Sequence, residues 1–334
     1  MDTILTDEQR MLRSMAESLT AGITPGGQTT EESIWSQLAD AGLIGLSIPD
    51  VDGGSGGSLT DTVLVTEVLA AASTPLDQLW SGVIAPALLH EAGAGDILHE
   101  VCSGARRVAV ALDRGLTALG RVDDENAIVI NPGLAREALA LDEAGRLVIC
   151  AVAPRDDSAD DQLISSGLGN ATEPPIGTPL DDSRLRSWEA ISLTAIAADA
   201  VGAAAAALAL AVDYAANRVQ FGAPIGSFQA IAHICADDHV SVEASRALAW
   251  YAAWAVASDN DQSLQSARTA KIHATQTGRS VCEDAIQVHG GIGMTWECPA
   301  HTHLRRMLIN SRCLGGNDLL LDRTADNRLA LVDS

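Results

Sequence analysis

Arg218–Gln229 reads RVQFGAPIGSFQ, and the fold is decided by what stands on either side of it. Upstream lies an alanine-lined run from about Trp188 to Arg218 whose interior suits one long helix, because Ala has the best helix propensity and adds little bulk. Downstream, a second helix begins near Ser227, Phe228 and Gln229 and reaches Trp250 and Trp254. The chain has only two phenylalanines, Phe221 and Phe228, and both fall inside this stretch. Arg218 closes a helix, where a cation complements the dipole. Taken alone, the stretch is equally a pair of aromatic loop anchors or a ligand surface.

A third helix is predicted over about 263–289, with Leu264, Ala267, Ala274, Val281, Ala285 and Val288 on one buried stripe. It runs into QVHGGIGMTWE at 287–297, where Gly290 and Gly291 end the helix and permit close backbone approach. A fourth helix over about 300–312 completes an antiparallel four-helix bundle in residues 186–334, and a short helix follows GGN.

Residues 1–105 are also helical. Thr6 and Gln9 form a T-x-x-Q capping box ahead of Leu12, Met15 and Leu19, and a second helix carries Ile34, Leu38 and Ala41 to a stop at Gly42. The glycine-rich GGSGG at 53–57 lacks a following Lys-Ser/Thr, so it reads as a turn before a helix at Asp61–Ala72 and not as a phosphate loop. A further helical stretch covers about 76–100. Residues 106–185 change character: RVAVAL, AIVIN and RLVICAVAP read as short strands of a small sheet or partial barrel. DDSADD at 156–161 is an acidic loop, and ATEPPIG at 171–177 is a second one.

The net charge of −23 repels nucleic-acid phosphates and anionic membrane surfaces alike. The apolar segment around Ile196–Val212 is interrupted by Asp199 and Gly202 and reads as a buried helix. Six cysteines without disulfide-like spacing, and an N-terminus with no long apolar run, lead us to expect reduced thiols and a cytoplasmic location. His301 and His303 stand two apart, which on a helix does not share a face, so they make a poor metal pair; His289 reads as structural.

RVQFGAPIGSFQ and QVHGGIGMTWE, at this separation and inside a helical C-terminal region, resemble the acyl-CoA dehydrogenases, whose motifs run close to RxQFGxPIxxFQ and QxxGGxGxTxE. IWSQLADAGLIGLSIPDVDGGSGGSLTD resembles that family's leading helices, so the likeness covers about 1–110 and 186–313. It implies a mainly α fold with an N-terminal helical part, a shortened middle β part and a C-terminal four-helix bundle. It implies FAD shared between subunits. By the same resemblance, Arg218, Phe221, Gln229, Gln287, Gly290 and Gly291 meet the pyrophosphate and adenosine end of a cofactor held by the neighbouring chain.

The family base is a Glu shortly after the last long helix, and Gly315 in CLGGND stands there. Members that place the base on the first bundle helix would have it near Ser192, which is not acidic; Glu189, one turn away, is the surviving candidate. The family's Thr-Glu-Pro…Gly-Ser-Asp and Trp-Ile-Ser/Thr segments have no counterpart. This pattern resembles the degenerate subunit of heterotetrameric (α2β2) steroid-CoA dehydrogenases, in which a homologous catalytic partner brings flavin contacts and base and binds most of the acyl-CoA. The alternatives are a self-sufficient dehydrogenase with Glu189 as base, and a structural or interaction subunit without flavin.

Overall fold

The computed structural model describes residues 4–23, 31–130, 133–153, 165–258, 260 and 262–332, with side chains for all of these but 165 and 327–332. The acidic run at 156–161 lies outside the described residues. Eleven α-helices and seven strands are seen among those described, with four short 3-10 or π-helical turns. They are α1 (Asp7–Thr20), α2 (Glu31–Asp40), α3 (Leu59–Ala71), α4 (Asp77–Leu79), α5 (Ala85–Ala92), α6 (Gly95–Cys102), β1 (Val108–Leu112), β2 (Ile128–Ile130), β3 (Glu137–Leu141), β4 (Leu147–Val152), β5 (Ser165–Ala171), α7 (Asp182–Asn217), β6 (Val219–Gln220), β7 (Ala223–Pro224), α8 (Gln229–Ala257), α9 (Ser263–His289), α10 (Ala300–Arg312) and α11 (Asn317–Val332).

The N-terminal helices start where their caps dictate. Thr6 and Gln9 form the expected reciprocal box on α1, and Ser58 with Asp61 forms a second one on α3. Gln9 Nε2 donates to Asp61 Oδ1 at 2.9 Å, so the two capped ends hold each other. The glycine-rich segment is a turn: Gly56 N–H donates to Ile48 O at 2.8 Å and Gly57 N–H to Leu46 O at 2.8 Å. The stretch read as one helix over 76–100 is α4, a π-helical turn at Trp80–Ile84, α5 and α6, broken at Gly93, whose φ is +66°.

The middle strands close further than a sheet or partial barrel. Their order is β1-β2-β5-β4-β3, with β1 and β3 pairing in parallel to shut the ring. Side-chain size explains the closure. Ala109 and Ala111 of β1, Ala138 and Ala140 of β3, and Val148 and Cys150 of β4 fill the inside, while Val108, Val110, Leu112, Leu139, Leu147 and Ile149 point the other way into the main core. Small residues on the inner face allow so few strands to meet. ATEPPIG, read as a loop, leaves the end of β5 and is tied down: Glu173 bonds Arg106 at 2.6 Å and Ile176 N–H donates to Leu147 O at 2.8 Å.

Helix α7 begins at Asp182 and not near Trp188, because the Asp181 carboxylate caps the N–H groups of Ser183 and Arg184 at 2.9 Å. It is long and apolar enough to cross a membrane, but 72% of its most apolar window is buried against neighbours, as for a core helix. Gly202 lets α3 lie against it, since a Cβ there would strike the Glu67 carbonyl. Cross-links set the bundle's directions. Glu189–Arg268 and Tyr214–His289 run α7 and α9 in parallel, while Ser245–His273 turns α8 antiparallel to α9 and Lys271–Ser311 does the same for α10. The helix after GGN is longer than expected, reaching Val332.

Candidate functional site

One end of the bundle gathers the C-terminus of α7, the N-terminus of α8 and the C-terminus of α9. The Tyr214 ring stacks on His289 with centroids 4.5 Å apart, which brings the two sequence motifs to one surface. Between α7 and α8 the chain makes a two-strand ribbon, β6–β7, around a turn at Phe221 and Gly222 with φ of +54° and +80°. Two left-handed residues are what a tight hairpin of this hand demands, and Gly tolerates it where Phe does not. Phe221 pays that strain while standing 93% exposed, touched edge-on by Phe228 at 6.2 Å. An aromatic held in a disfavoured backbone conformation and offered to solvent is a functional signal.

Arg218, Gln229 and Gln287 are exposed, and none makes a side-chain hydrogen bond or ion pair among the described residues. A Cβ added at Gly290 or Gly291 would meet nothing within 4 Å, so that backbone is open. Ile292, Met294 and Trp296 follow it, the last 76% exposed. The donor set suits one end of FAD. An unpaired guanidinium fork fits a diphosphate, bare glycine backbone admits an adenosine, and amides supply donors and acceptors.

The other end of the bundle faces the barrel. There a cleft of about 370 Å³ is lined by Leu119, Trp188, Glu189, Arg268, Leu314 and Arg323 among others. Glu189 is no free base: Arg268 Nη2 and Nε donate to its Oε1 at 3.0 and 3.2 Å, and Arg323 lies 3.7 Å away. Ser192 is fully buried with an unpartnered hydroxyl. Gly315, at φ +101°, donates its N–H to Leu116 O at 2.9 Å. Its carbonyl accepts from Lys271 Nζ at 2.5 Å, as does Ser311 O at 3.0 Å. Burial lowers the Lys271 ammonium to about 8. Sequence reading missed Lys271, Arg268 and Arg323, because a lone basic residue on an otherwise apolar helix face shows no partner until the chain is folded.

Among the described residues no His, Cys, Asp and Glu group could hold a metal. His303 is buried beside Ser73 and its imidazolium is pushed down to about 4 by burial and by Arg306. Arg306 itself bonds Asp199 at 2.7 Å, and Asn310 joins at 2.6 Å, a structural network.

Comparison with known proteins agrees with this architecture. The acyl-CoA dehydrogenase C-terminal domain matches residues 192–329, and the acyl-CoA dehydrogenase N-terminal domain matches residues 6–95. Acyl-CoA dehydrogenase IpdE2 of Mycobacterium tuberculosis is 32% identical over 90% of this chain and 91% of its own. The Tcur3481-Tcur3483 steroid ACAD G363A variant superposes with TM-score 0.84 and 26% identity over 98% of this chain and 99% of that one. The ChsE4-ChsE5 complex from M. tuberculosis gives 0.82 and 25% over 99% of both. The fold also matches a glutaryl-CoA dehydrogenase of M. smegmatis solved with FADH2, at TM-score 0.81 and 16% identity over 99% of this chain and 96% of that one. This chain belongs to the acyl-CoA dehydrogenase family, and FAD is the cofactor of that family.

Proposed function

We propose that this chain is the non-catalytic subunit of a heteromeric, FAD-dependent acyl-CoA dehydrogenase, and that its bundle end completes the FAD site of a homologous catalytic partner in an α2β2 assembly. One observation carries the reading. Glu189 at the cleft and Arg218 at the motif surface are 29 residues apart on one continuous helix, about 44 Å at 1.5 Å per residue. A rod of that length, with Arg218 at its C-cap, keeps Arg218 away from its own cleft, which supports the reading that the motif surface serves another chain.

Arg218 would hold the diphosphate with a charge-assisted fork, and the open Gly290–Gly291 backbone would admit the adenosine. Phe221 would shield the cofactor from water, while Gln229 and Gln287 would satisfy its polar edge. When bound, FAD would supply the hydride acceptor for the β-carbon of an acyl thioester. The α-proton leaves to a carboxylate of the partner, because this chain has Gly315 at the family position and its nearby Glu189 is engaged by Arg268. A steroid side-chain CoA thioester is the substrate class that the similarity to a steroid ACAD and to a two-component complex supports.

The chain expressed alone is expected to bind little FAD. Co-expression with its partner is expected to restore the yellow colour and activity. A yellow, active homomer overturns the proposal.

A further inference from the structure

The seam between α8 and α9 carries acid with no base to meet it. Asp238 of α8 is only 7% exposed, yet its carboxylate makes no hydrogen bond or ion pair among the described residues. A buried charge is costly unless it is paired. Asp284 of α9 is half-buried and has no such partner among them either. Burial, and then the charges of Asp284 and Asp237, lift the Asp238 carboxyl to about 6. Cys235, one turn earlier on α8, is raised by burial and by Asp238 and Asp284, so the three side chains lie together. Cations on the same two helices are committed elsewhere: Arg279 holds Glu283 at 2.8 Å and Arg246 holds Glu67 at 2.7 Å. Among the described residues no His, Cys, Asp and Glu group could hold a metal, so the counter-charge that fits is an organic cation. Asp284 stands one turn before Gln287 on one face of α9, and Asp238 lies about 14 Å along α8 from Gln229. The seam therefore continues the motif surface. A second copy of this chain, also carrying −23, would bring acid to acid.

We propose that the Asp238–Asp284 seam receives a basic side chain, an arginine or lysine, from the catalytic partner subunit and so fixes how the two chains dock. The inference rests on the reading that this end of the bundle faces that partner. A guanidinium fork suits two neighbouring carboxylates, since it presents several N–H donors in one plane. Folding has already stripped water from Asp238, so an incoming cation meets a charge that is held in place and weakly screened. The isolated chain thus carries an unpaired buried acid that only assembly neutralises.

The test sets assembly against the stability of the chain alone. Sedimentation of the co-expressed complex, serially diluted at pH ~8 where Asp238 is ionised, is expected to show D238N weakening association with the catalytic subunit about thirtyfold and D284N about tenfold. On the isolated chain D238N should act in the opposite direction and raise the melting temperature by about 2 °C, because a buried unpaired charge has been removed. FAD affinity at saturating partner is expected to stay at the wild-type value in both variants. The inference is overturned if both variants associate as the wild type does, or if D238N fails to raise the melting of the isolated chain, since a residue that merely supports the fold would weaken both. R218A separates the two readings. Loss of FAD in R218A, with wild-type association in D238N and D284N, sinks this inference and leaves the FAD site standing; a wild-type chain that forms no complex sinks both.

Discussion

The two ends of the four-helix bundle handle their polar groups in opposite ways. At the motif end, Arg218, Gln229 and Gln287 have no side-chain partners among the described residues, and the Gly290–Gly291 backbone is bare. At the barrel end, Glu189 is tied to Arg268, and Lys271 is clamped between two carbonyls. Polar groups left unpaired on a surface are poised for a ligand that arrives from outside, whereas groups paired with one another have already spent that capacity. The difference teaches that residues on one helix can meet opposite surroundings, because the helix carries them to opposite ends of the bundle.

The largest test of this contrast is Arg218→Ala in the assembled complex. Losing a charge-assisted fork on a diphosphate is expected to cost about 3 kcal/mol, or more than a hundredfold in FAD affinity, with melting of the apo complex unchanged. Flavin titration reads it, and unaltered FAD content would favour a purely structural subunit. At the opposite end, Lys271→Met leaves the carbonyls of Ser311 and Gly315 unpaired and is expected to cost about 2 kcal/mol in denaturant unfolding. The lysine also sets a pH dependence. Its ammonium is lowered from 10.5 to about 8 by burial, so between these values the unfolded chain holds a proton that the folded chain has shed. Wild-type stability relative to the Met variant should therefore rise from pH 8 to 10.5. A flat difference would show that the amine titrates normally.

Gly291→Leu sharpens the comparison with a smaller effect. Nothing lies within 4 Å of a Cβ there, so folding is expected to be unaffected. FAD affinity should fall by about 1 kcal/mol as the side chain holds the ligand off the backbone; loss of stability instead would make the glycines mere helix stops. Smallest is Glu189→Gln, expected to change turnover of the complex by less than about twofold, against the hundredfold or more expected for loss of a general base. A fall of that size with FAD retained would restore this chain's own cleft as a catalytic site.

Much of the fold was legible because local rules were strong. The capping box at Thr6–Gln9, the stripe from Leu264 to Val288 and the glycine stop at Gly290 each declare an element within a few residues. The start of α7 was misplaced because Asp181 and Asp182 read as part of a polar loop until one of them is seen capping the helix. The barrel's closure was not legible either. Alternation of Ala with Val or Leu marks strands, but whether such strands close depends on how small the inward residues are when all five meet.

By itself, then, the sequence determined the helical class and the family motifs, because these rest on residue identity and short spacing. Only the tertiary structure decided the rest. It placed RVQFGAPIGSFQ and Glu189 at opposite ends of one long helix and set Phe221 outward on a strained turn. It also paired Glu189 with an arginine 79 residues away. These facts depend on rise along a rod and on long-range contacts, which no local pattern encodes.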